Sequence, residues 1–265
     1  MAADPEDRGA APSAARLMVA APLTLIALHG NGGGGFRFAR CAPHMPPQVR
    51  FVAPTLDGFA EKPPDPALQS LRDYAARLAE LIAPEPRPRV LLGHGIGGAF
   101  VLELLQHQPE AVDGVILHAP VGTRLESRRF PKLMKPPIVR AAGKWLLSAP
   151  FMRPLWRRVF FHQPVPSEYL RRFFAEYGRC AVFGQMFDLI TADWFKRLRP
   201  SEVRAGLLWG ARERVLRVEH VEDYKALLPR HIVRIVPDWD HFPMIEQPQA
   251  YAAEVSALAG QVLAL

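Results

Sequence analysis

Short apolar runs alternate along the chain with stretches in which apolar residues recur every three or four positions. The runs predict β-strands and the stretches predict amphipathic helices. Strands that alternate with helices are typical of a parallel α/β sheet. The predicted strands are Leu23–Leu28, Val49–Ala53, Arg89–Leu92, Val115–His118, Ala205–Trp209 and Ile232–Val236. The predicted helices are Phe36–Ala42, Leu68–Ile82, Ile96–Gln106, Val218–Leu228 and Pro248–Leu263.

The alternation is interrupted in the middle of the chain. There the sequence is rich in arginine, aromatic residues and proline, and its predicted helices do not alternate with strands. We therefore predict a helical cap at residues 123–200, inserted into a core formed by residues 16–122 and 201–265. Residues 1–15 are predicted to be a disordered leader.

Composition bounds the class of protein. Of the 265 residues, 49% are hydrophobic and 22% are charged, which suits one large domain with an insertion. The two cysteines, Cys41 and Cys180, give no disulfide framework, so we expect a reducing compartment and a cytoplasmic protein. The apolar stretch from Leu17 to Leu28 is too short to span a membrane, and the residues before it are acidic, unlike a signal peptide.

A glycine-rich turn, Gly93-His94-Gly95-Ile96-Gly97-Gly98, joins a predicted strand to a predicted helix. One interpretation is a flexible turn without further meaning. The turn lacks the Gly-Lys-Ser/Thr ending of a Walker loop and the glycine spacing of a dinucleotide fingerprint. It resembles the nucleophile elbow of the α/β-hydrolase family, Gly-x-Ser-x-Gly, with Gly95 in the position of the serine.

The loop after the first predicted strand also resembles that family. His29-Gly30 and the glycines that follow are similar to the loop that donates one N–H of an oxyanion hole. The resemblance implies that the backbone N–H of Ile96 and that of Asn31, with Gly32 as the next candidate, stabilise negative charge on a carbonyl oxygen. The alternative is a glycine loop that only connects a strand to a helix.

Two later segments are similar to the family's acid and histidine segments. Trp209-Gly210-Ala211-Arg212-Glu213 resembles the acid segment, and Trp239-Asp240-His241 and the residues up to Pro248 resemble the histidine segment. The resemblance implies that His241 is a general base oriented by Glu213. Asp240 stands where the family often has glycine, and a carboxylate close to the imidazole would favour its protonated form.

These segments follow one another in the order that the family requires, elbow, acid and histidine, and cover nearly the whole chain outside the cap. They imply an α/β-hydrolase fold, with a mostly parallel central sheet, flanking helices and the inserted helical cap, similar to the cap-bearing esterases, lipases and carbon–carbon hydrolases. The expected ligand is small and hydrophobic, and the expected contacts are His29, Gly30, His94, Trp156 and Phe242. Packing of His94 and of the cap aromatics is the alternative.

Glycine at position 95 cannot form the acyl-enzyme of a serine triad. Three interpretations stay open: a non-catalytic binding or regulatory pseudoenzyme, a His241–Glu213 dyad that activates water or abstracts a proton, and an engineered Ser-to-Gly variant of a serine hydrolase. Each of them is cofactor-free.

The positive charge of the chain is concentrated in the predicted cap. The net charge of the whole chain is +7, and residues 123–200 hold sixteen Lys or Arg residues against five Asp or Glu residues. This excess is suited to an anionic group of the ligand or to an acidic membrane surface, although a solvated helix face is the alternative. No nucleic-acid-binding module or metal-ligand spacing accompanies it, so we expect neither nucleic acid nor metal as a partner. The oligomeric state stays open.

Overall fold

Six strands form the core of the computed structural model, which describes residues 22–265. The predicted leader at residues 1–15 lies outside the described residues. The strands are β1 (Leu23–Leu28), β2 (Val49–Val52), β3 (Arg89–Gly95), β4 (Gly114–Pro120), β5 (Ala205–Gly210) and β6 (His231–Val236). They pair in parallel, in the order β2-β1-β3-β4-β5-β6, which confirms the predicted parallel sheet.

Burial of the strands follows their sequences. Every residue of β1, β4 and β5 is buried, as expected for solid apolar runs covered on both faces of a sheet. The edge strands β2 and β6 are only partly buried and carry arginine.

Eleven helices accompany the sheet within the described residues. They are α1 (Leu71–Ile82), α2 (Ile96–His107), α3 (Arg129–Leu133), α4 (Pro137–Ser148), α5 (Arg153–Phe160), α6 (Ser167–Arg179), α7 (Met186–Leu189), α8 (Ala192–Lys196), α9 (Val221–Lys225), α10 (Pro243–Glu246) and α11 (Pro248–Ala264). Helix α2 packs on β3 and β4, and α11 packs on β4 and β5. Over residues 22–265 there is no helix both long and apolar enough to cross a membrane.

Three predicted helices differ from the observed ones. The helix predicted at Leu68–Ile82 begins at Leu71, because the Ser70 side chain accepts a hydrogen bond from the Asp73 N–H and the Asp73 carboxylate accepts one from the Ser70 N–H. The predicted helix Phe36–Ala42 is a short 3-10 helix at Gly35–Phe38. The predicted helix Val218–Leu228 is a 3-10 turn followed by α9, a short helix that ends at Lys225.

Between β4 and β5 the chain leaves the sheet and forms the helices α3 to α8. A buried ion pair holds this helical segment to the sheet, because Nε of Arg37, which follows β1, lies 3.1 Å from Oε2 of Glu176 on α6. The Arg37 guanidinium also stacks 3.4 Å above the Phe173 ring and donates to the Phe173 carbonyl. The helical segment is therefore fixed next to the loop that leaves β1.

Candidate active site

The segments singled out in the sequence meet at one edge of the sheet. All six strands are parallel, so the loops after β1, β3, β5 and β6 leave from the same edge. They bring together Asn31, Gly95, Glu213 and His241. Ligand sites of open parallel sheets lie at this carboxyl edge.

Gly95 connects β3 to α2 in a single residue. Its φ is +57° and its ψ is −119°, a conformation that residues with a side chain rarely adopt. The strand therefore turns directly into the helix, and the first helical residue, Ile96, follows without a loop. This is the tight strand-to-helix turn that the sequence predicts.

The glycines of this turn differ in what surrounds them. A Cβ added at Gly97 would lie 2.6 Å from the Leu28 carbonyl oxygen, and one at Gly98 would lie 2.4 Å from Cβ of Pro120. These two positions must be glycine for the helix to approach the sheet. A Cβ at Gly95 would meet only Cα of Gly30, at an ordinary contact distance of 3.6 Å. Position 95 therefore has open space where a side chain would begin.

His241 is paired with Glu213 across 28 positions of sequence. Its Nδ1–H donates to Oε2 of Glu213 at 2.8 Å, and the Glu213 side chain is fully buried. The other carboxylate oxygen accepts from the N–H groups of Val215 and Leu216. Burial raises the pKa of Glu213, but His241 and these N–H groups outweigh it and the net pKa lies below its ordinary value. Glu213 is therefore a fixed carboxylate that sets the tautomer of His241.

His94 joins the turn to the histidine loop. Its Nε2–H donates to the His241 carbonyl at 2.9 Å, and its ring lies between those of His118 and His241, with centroids 4.8 and 4.6 Å away. Burial lowers the pKa of His94 well below 6.5 and that of His118 to about 3. Both rings are therefore neutral at pH 7.

The expected oxyanion donors lie at the ends of β1 and β3. Ile96 is the first residue of α2, so its N–H has no acceptor within the helix. The Asn31 N–H has no acceptor among residues 22–265, and the Asn31 side chain donates to the Phe183 carbonyl. The φ of Gly32 is +79°, and a Cβ there would lie 2.2 Å from the Tyr177 ring. A cavity lies at this edge of the sheet. Asn31 and Ile96 line it, and Gly32 does not.

A cavity of about 510 Å³ lies between this edge and the helical segment. Gly95, Ile96 and His241 line its base. The helical segment contributes mainly apolar side chains, among them Leu147, Phe160, Phe183, Met186, Phe187 and Ile190. Its size and its apolar lining suit a small hydrophobic molecule.

Of the five expected ligand contacts, Gly30, His94 and Phe242 line the cavity, and His29 and Trp156 do not. His29 is fully buried, donates to the Gly30 carbonyl and accepts from the Leu56 N–H. Trp156 donates to the Leu146 carbonyl within the helical segment. Both side chains are therefore placed by local packing.

Asp240 does not pair with the imidazole of His241, contrary to the expectation for a close carboxylate. Its buried carboxylate accepts from Nε of Arg214 at 2.7 Å and from Nε2 of His162 at 2.8 Å. Asp240 therefore connects the histidine loop to the helical segment through His162, and among residues 22–265 Glu213 is the hydrogen-bond partner of the His241 imidazole.

Sequence reasoning missed Arg37 as a cavity residue. This arginine is 3% exposed, and its Nη1 has no hydrogen-bond partner in the described part of the chain. Its position nine residues after the end of β1 carries no motif, so no signal in the sequence alone points to it. For residues 22–265, no three His, Cys, Asp or Glu side chains are grouped to hold a metal ion.

Comparison with known proteins places this geometry in a family. The model of the alpha/beta hydrolase family matches residues 25–254. An uncharacterised protein of Mycobacterium tuberculosis is 23% identical over 250 residues, which cover 86% of this chain and 72% of that protein.

Solved structures share the fold. A candidate lipase from Acinetobacter baumannii AYE superposes with a TM-score of 0.74 at 22% identity, over 91% of this chain and 84% of that one. A membrane phospholipase A, described as a bacterial virulence factor, superposes with a TM-score of 0.72 at 26% identity, over 91% of this chain and 79% of that one. With the family model spanning most of its length, the chain belongs to the alpha/beta hydrolase family.

Proposed function

We propose that this protein lacks the serine nucleophile of its family and hydrolyses a small hydrophobic carbonyl compound, with His241 as a general base and no covalent intermediate. The observation that carries the proposal is the His241–Glu213 pair, which is buried, fully hydrogen-bonded on the carboxylate side and placed at the same cavity as Gly95. A site that only binds a ligand has no need of an oriented imidazole.

Gly95 occupies the nucleophile position in this proposal. Its backbone turn is the strained conformation of an elbow, and the space in which a serine side chain would begin is open. A water molecule in this space stands in for the missing hydroxyl. His241 is the candidate base, because it lines the cavity, its Nδ1 is engaged by Glu213, and its Nε2 has no hydrogen-bond partner among residues 22–265.

The proposed reaction has one tetrahedral intermediate. Nε2 of His241 takes a proton from the water while the water oxygen bonds to the carbonyl carbon. The carbonyl oxygen becomes an oxyanion, which accepts hydrogen bonds from the N–H groups of Ile96 and Asn31. When the intermediate collapses, the bond to the leaving oxygen breaks and the proton on His241 passes to that oxygen. The products are an acid and an alcohol, and the imidazole returns to its neutral form.

The cavity defines the substrate class. Apolar side chains form most of its wall, so the acyl or alcohol part of the substrate is hydrophobic. The basic residues Arg128, Lys132 and Lys135 also line the cavity and favour a substrate with an anionic group at its far end.

Hydrolysis of p-nitrophenyl esters of increasing chain length tests the proposal. We expect slow turnover by the natural chain and a loss of about 10²- to 10⁴-fold in His241→Ala. The matched control is His107→Ala, a histidine at the C-terminal end of α2 that pairs with Glu103 and does not line the cavity. It should retain full activity. Equal rates for the natural chain and His241→Ala would overturn the role of the dyad.

The Gly95→Ser variant separates catalysis from binding alone. If the natural chain is inactive and Gly95→Ser is active and labelled by a fluorophosphonate, the frame is competent and the natural chain is a binding protein or an inactivated form of a serine hydrolase. If neither chain turns over any ester, hydrolysis is the wrong chemistry for this cavity.

A further inference from the structure

Large exposed apolar side chains are concentrated in one part of the helical segment. Ten such residues are found across residues 22–265, and seven of them lie between residues 130 and 159. We call these seven, together with the Lys and Arg residues between them in the chain, the apolar basic face: Phe130, Leu133, Ile138, Trp145, Phe151, Leu155 and Val159. Contiguous exposed apolar surface of this kind marks an interaction site.

The apolar side chains follow the outward faces of two helices. On α4, Ile138 is 79% exposed and Trp145 is 60% exposed, and the exposed alanines 141 and 142 lie between them at helical spacing. On α5, Leu155 and Val159 are exposed one turn apart. The rings of Trp145 and Phe151 lie 5.8 Å apart and connect the two helices. A helix that packs only against its own protein turns its apolar face inward, and these two present apolar residues to the outside.

Positive charge surrounds this apolar surface. From Ser127 to Ser167 the chain contains nine Lys or Arg residues and no Asp or Glu. Arg140 pairs with Asp188 on α7. The other eight have no carboxylate within 4.0 Å among residues 22–265: Arg128, Arg129, Lys132, Lys135, Lys144, Arg153, Arg157 and Arg158. Elsewhere in the described chain, most Lys and Arg residues form ion pairs, for example Arg77 with Asp57 and Asp65.

The face is continuous with the entrance of the cavity. Phe130, Lys132 and Lys135 are exposed on α3 and its flanking turn, and they also line the cavity. The acidic residues at this entrance are Glu126, which pairs with Lys196, and Asp193. Part of the cavity's opening therefore lies on the apolar basic face.

We infer that the apolar basic face docks on an anionic lipid bilayer, with α4 and α5 lying along its surface and the cavity entrance turned toward the lipid. Apolar side chains flanked by unpaired Lys and Arg are typical of helices that lie in a membrane interface, where acidic headgroups attract the charges and the apolar residues enter the acyl boundary. A second copy of this chain is a poor occupant, because a symmetric contact would bring the same unpaired positive charges together.

Flotation with lipid vesicles tests the inference independently of turnover. We expect the natural chain to float with phosphatidylcholine vesicles that contain about 30 mol % phosphatidylglycerol, to bind pure phosphatidylcholine about tenfold less, and to be released at high salt. The Arg157→Glu/Arg158→Glu variant should bind the anionic vesicles about tenfold or more weakly. Its matched control is Arg72→Glu/Arg230→Glu, which makes the same charge change outside the helical segment and should bind as the natural chain does.

Two apolar variants test the orientation. Ile138→Ser/Trp145→Ser should lose about tenfold in binding, whereas Trp145→Phe should still bind but show a smaller blue shift of tryptophan emission on anionic vesicles. Circular dichroism and thermal unfolding in solution report that each variant is folded. No binding to anionic vesicles, or equal loss in the control, would overturn the inference. The inference would also be overturned if the protein self-associates and Trp145→Ser abolishes that self-association. Salt-sensitive binding to acidic proteins without binding to anionic vesicles would overturn it too.

Discussion

Nδ1 of His241 lies 2.8 Å from Oε2 of Glu213, whose side chain has no exposed surface. The two residues come from different loops, after β5 and after β6, and His241 lines the same cavity as Gly95, whose φ is +57°. In the proposed function, this pair supplies the base at a position that has no side chain of its own.

Glu213→Gln should lower the ester hydrolysis rate by about 10²- to 10⁴-fold, because the amide no longer holds His241 in the required tautomer. Glu213→Asp should recover part of the rate. Steady-state kcat and circular dichroism of both variants check this. A Glu213→Gln enzyme with the natural rate and a natural fold would show that the pair has no role in turnover.

Gly95→Ser should fold, at a cost of about 1–3 kcal/mol in the free energy of unfolding, because φ is positive but the site has room for Cβ. Gly97→Ala should cost more than about 3 kcal/mol, because its Cβ would lie 2.6 Å from the Leu28 carbonyl oxygen. Urea denaturation of the two variants measures the difference. Equal losses would mean that position 95 is as tightly packed as its neighbours.

Acid should destabilise the protein below pH 6.5. Burial lowers the pKa of His29 from 6.5 to about 4 and that of His118 to about 3, so as the pH falls the unfolded chain takes up protons that the folded chain does not. Each unit of pKa difference is worth about 1.4 kcal/mol, so His29 alone should remove about 3 kcal/mol by pH 4.

Denaturation at pH 7, 6 and 5 measures this slope. His29→Gln should flatten it, since glutamine keeps both hydrogen bonds of the imidazole without titrating. The exposed His44→Gln is the matched control. A slope that is the same in His29→Gln and in the natural chain would contradict the assignment.

Arg37→Met should destabilise the protein by about 3 kcal/mol, because it removes the buried partner of Glu176 and leaves only the half-exposed Arg172, whose Nε lies 3.7 Å from Oε1 of Glu176. Burial already raises the pKa of Glu176 despite the opposing charge of Arg37. Arg37→Met/Glu176→Leu should therefore recover most of the loss. In the exposed pair Arg212–Asp238, Arg212→Ala should cost less than about 1 kcal/mol. A similar cost in both pairs would contradict a structural role for the buried one.

The positions of the strands were predictable from the sequence, because solid apolar runs mark them, and the pairing of Glu213 with His241 was implied by the family resemblance of their two segments. The helix boundaries were less predictable. Helix α1 begins where Ser70 and Asp73 form a capping box, and this local pair of hydrogen bonds overrides the apolar periodicity. The contacts of Asp240 and the burial of Arg37 depend on residues far away in the chain. Neither follows from spacing, because His162 and Glu176 come from the helical segment, whose sequence carries no motif.

The most direct test is intact-mass spectrometry of the natural chain while it hydrolyses a p-nitrophenyl ester, with Gly95→Ser measured in parallel. We predict release of p-nitrophenol by the natural chain with no acyl adduct at any time, and an acyl adduct on Gly95→Ser. An acyl adduct on the natural chain during turnover would place the nucleophile at another residue and contradict hydrolysis by a His241-activated water.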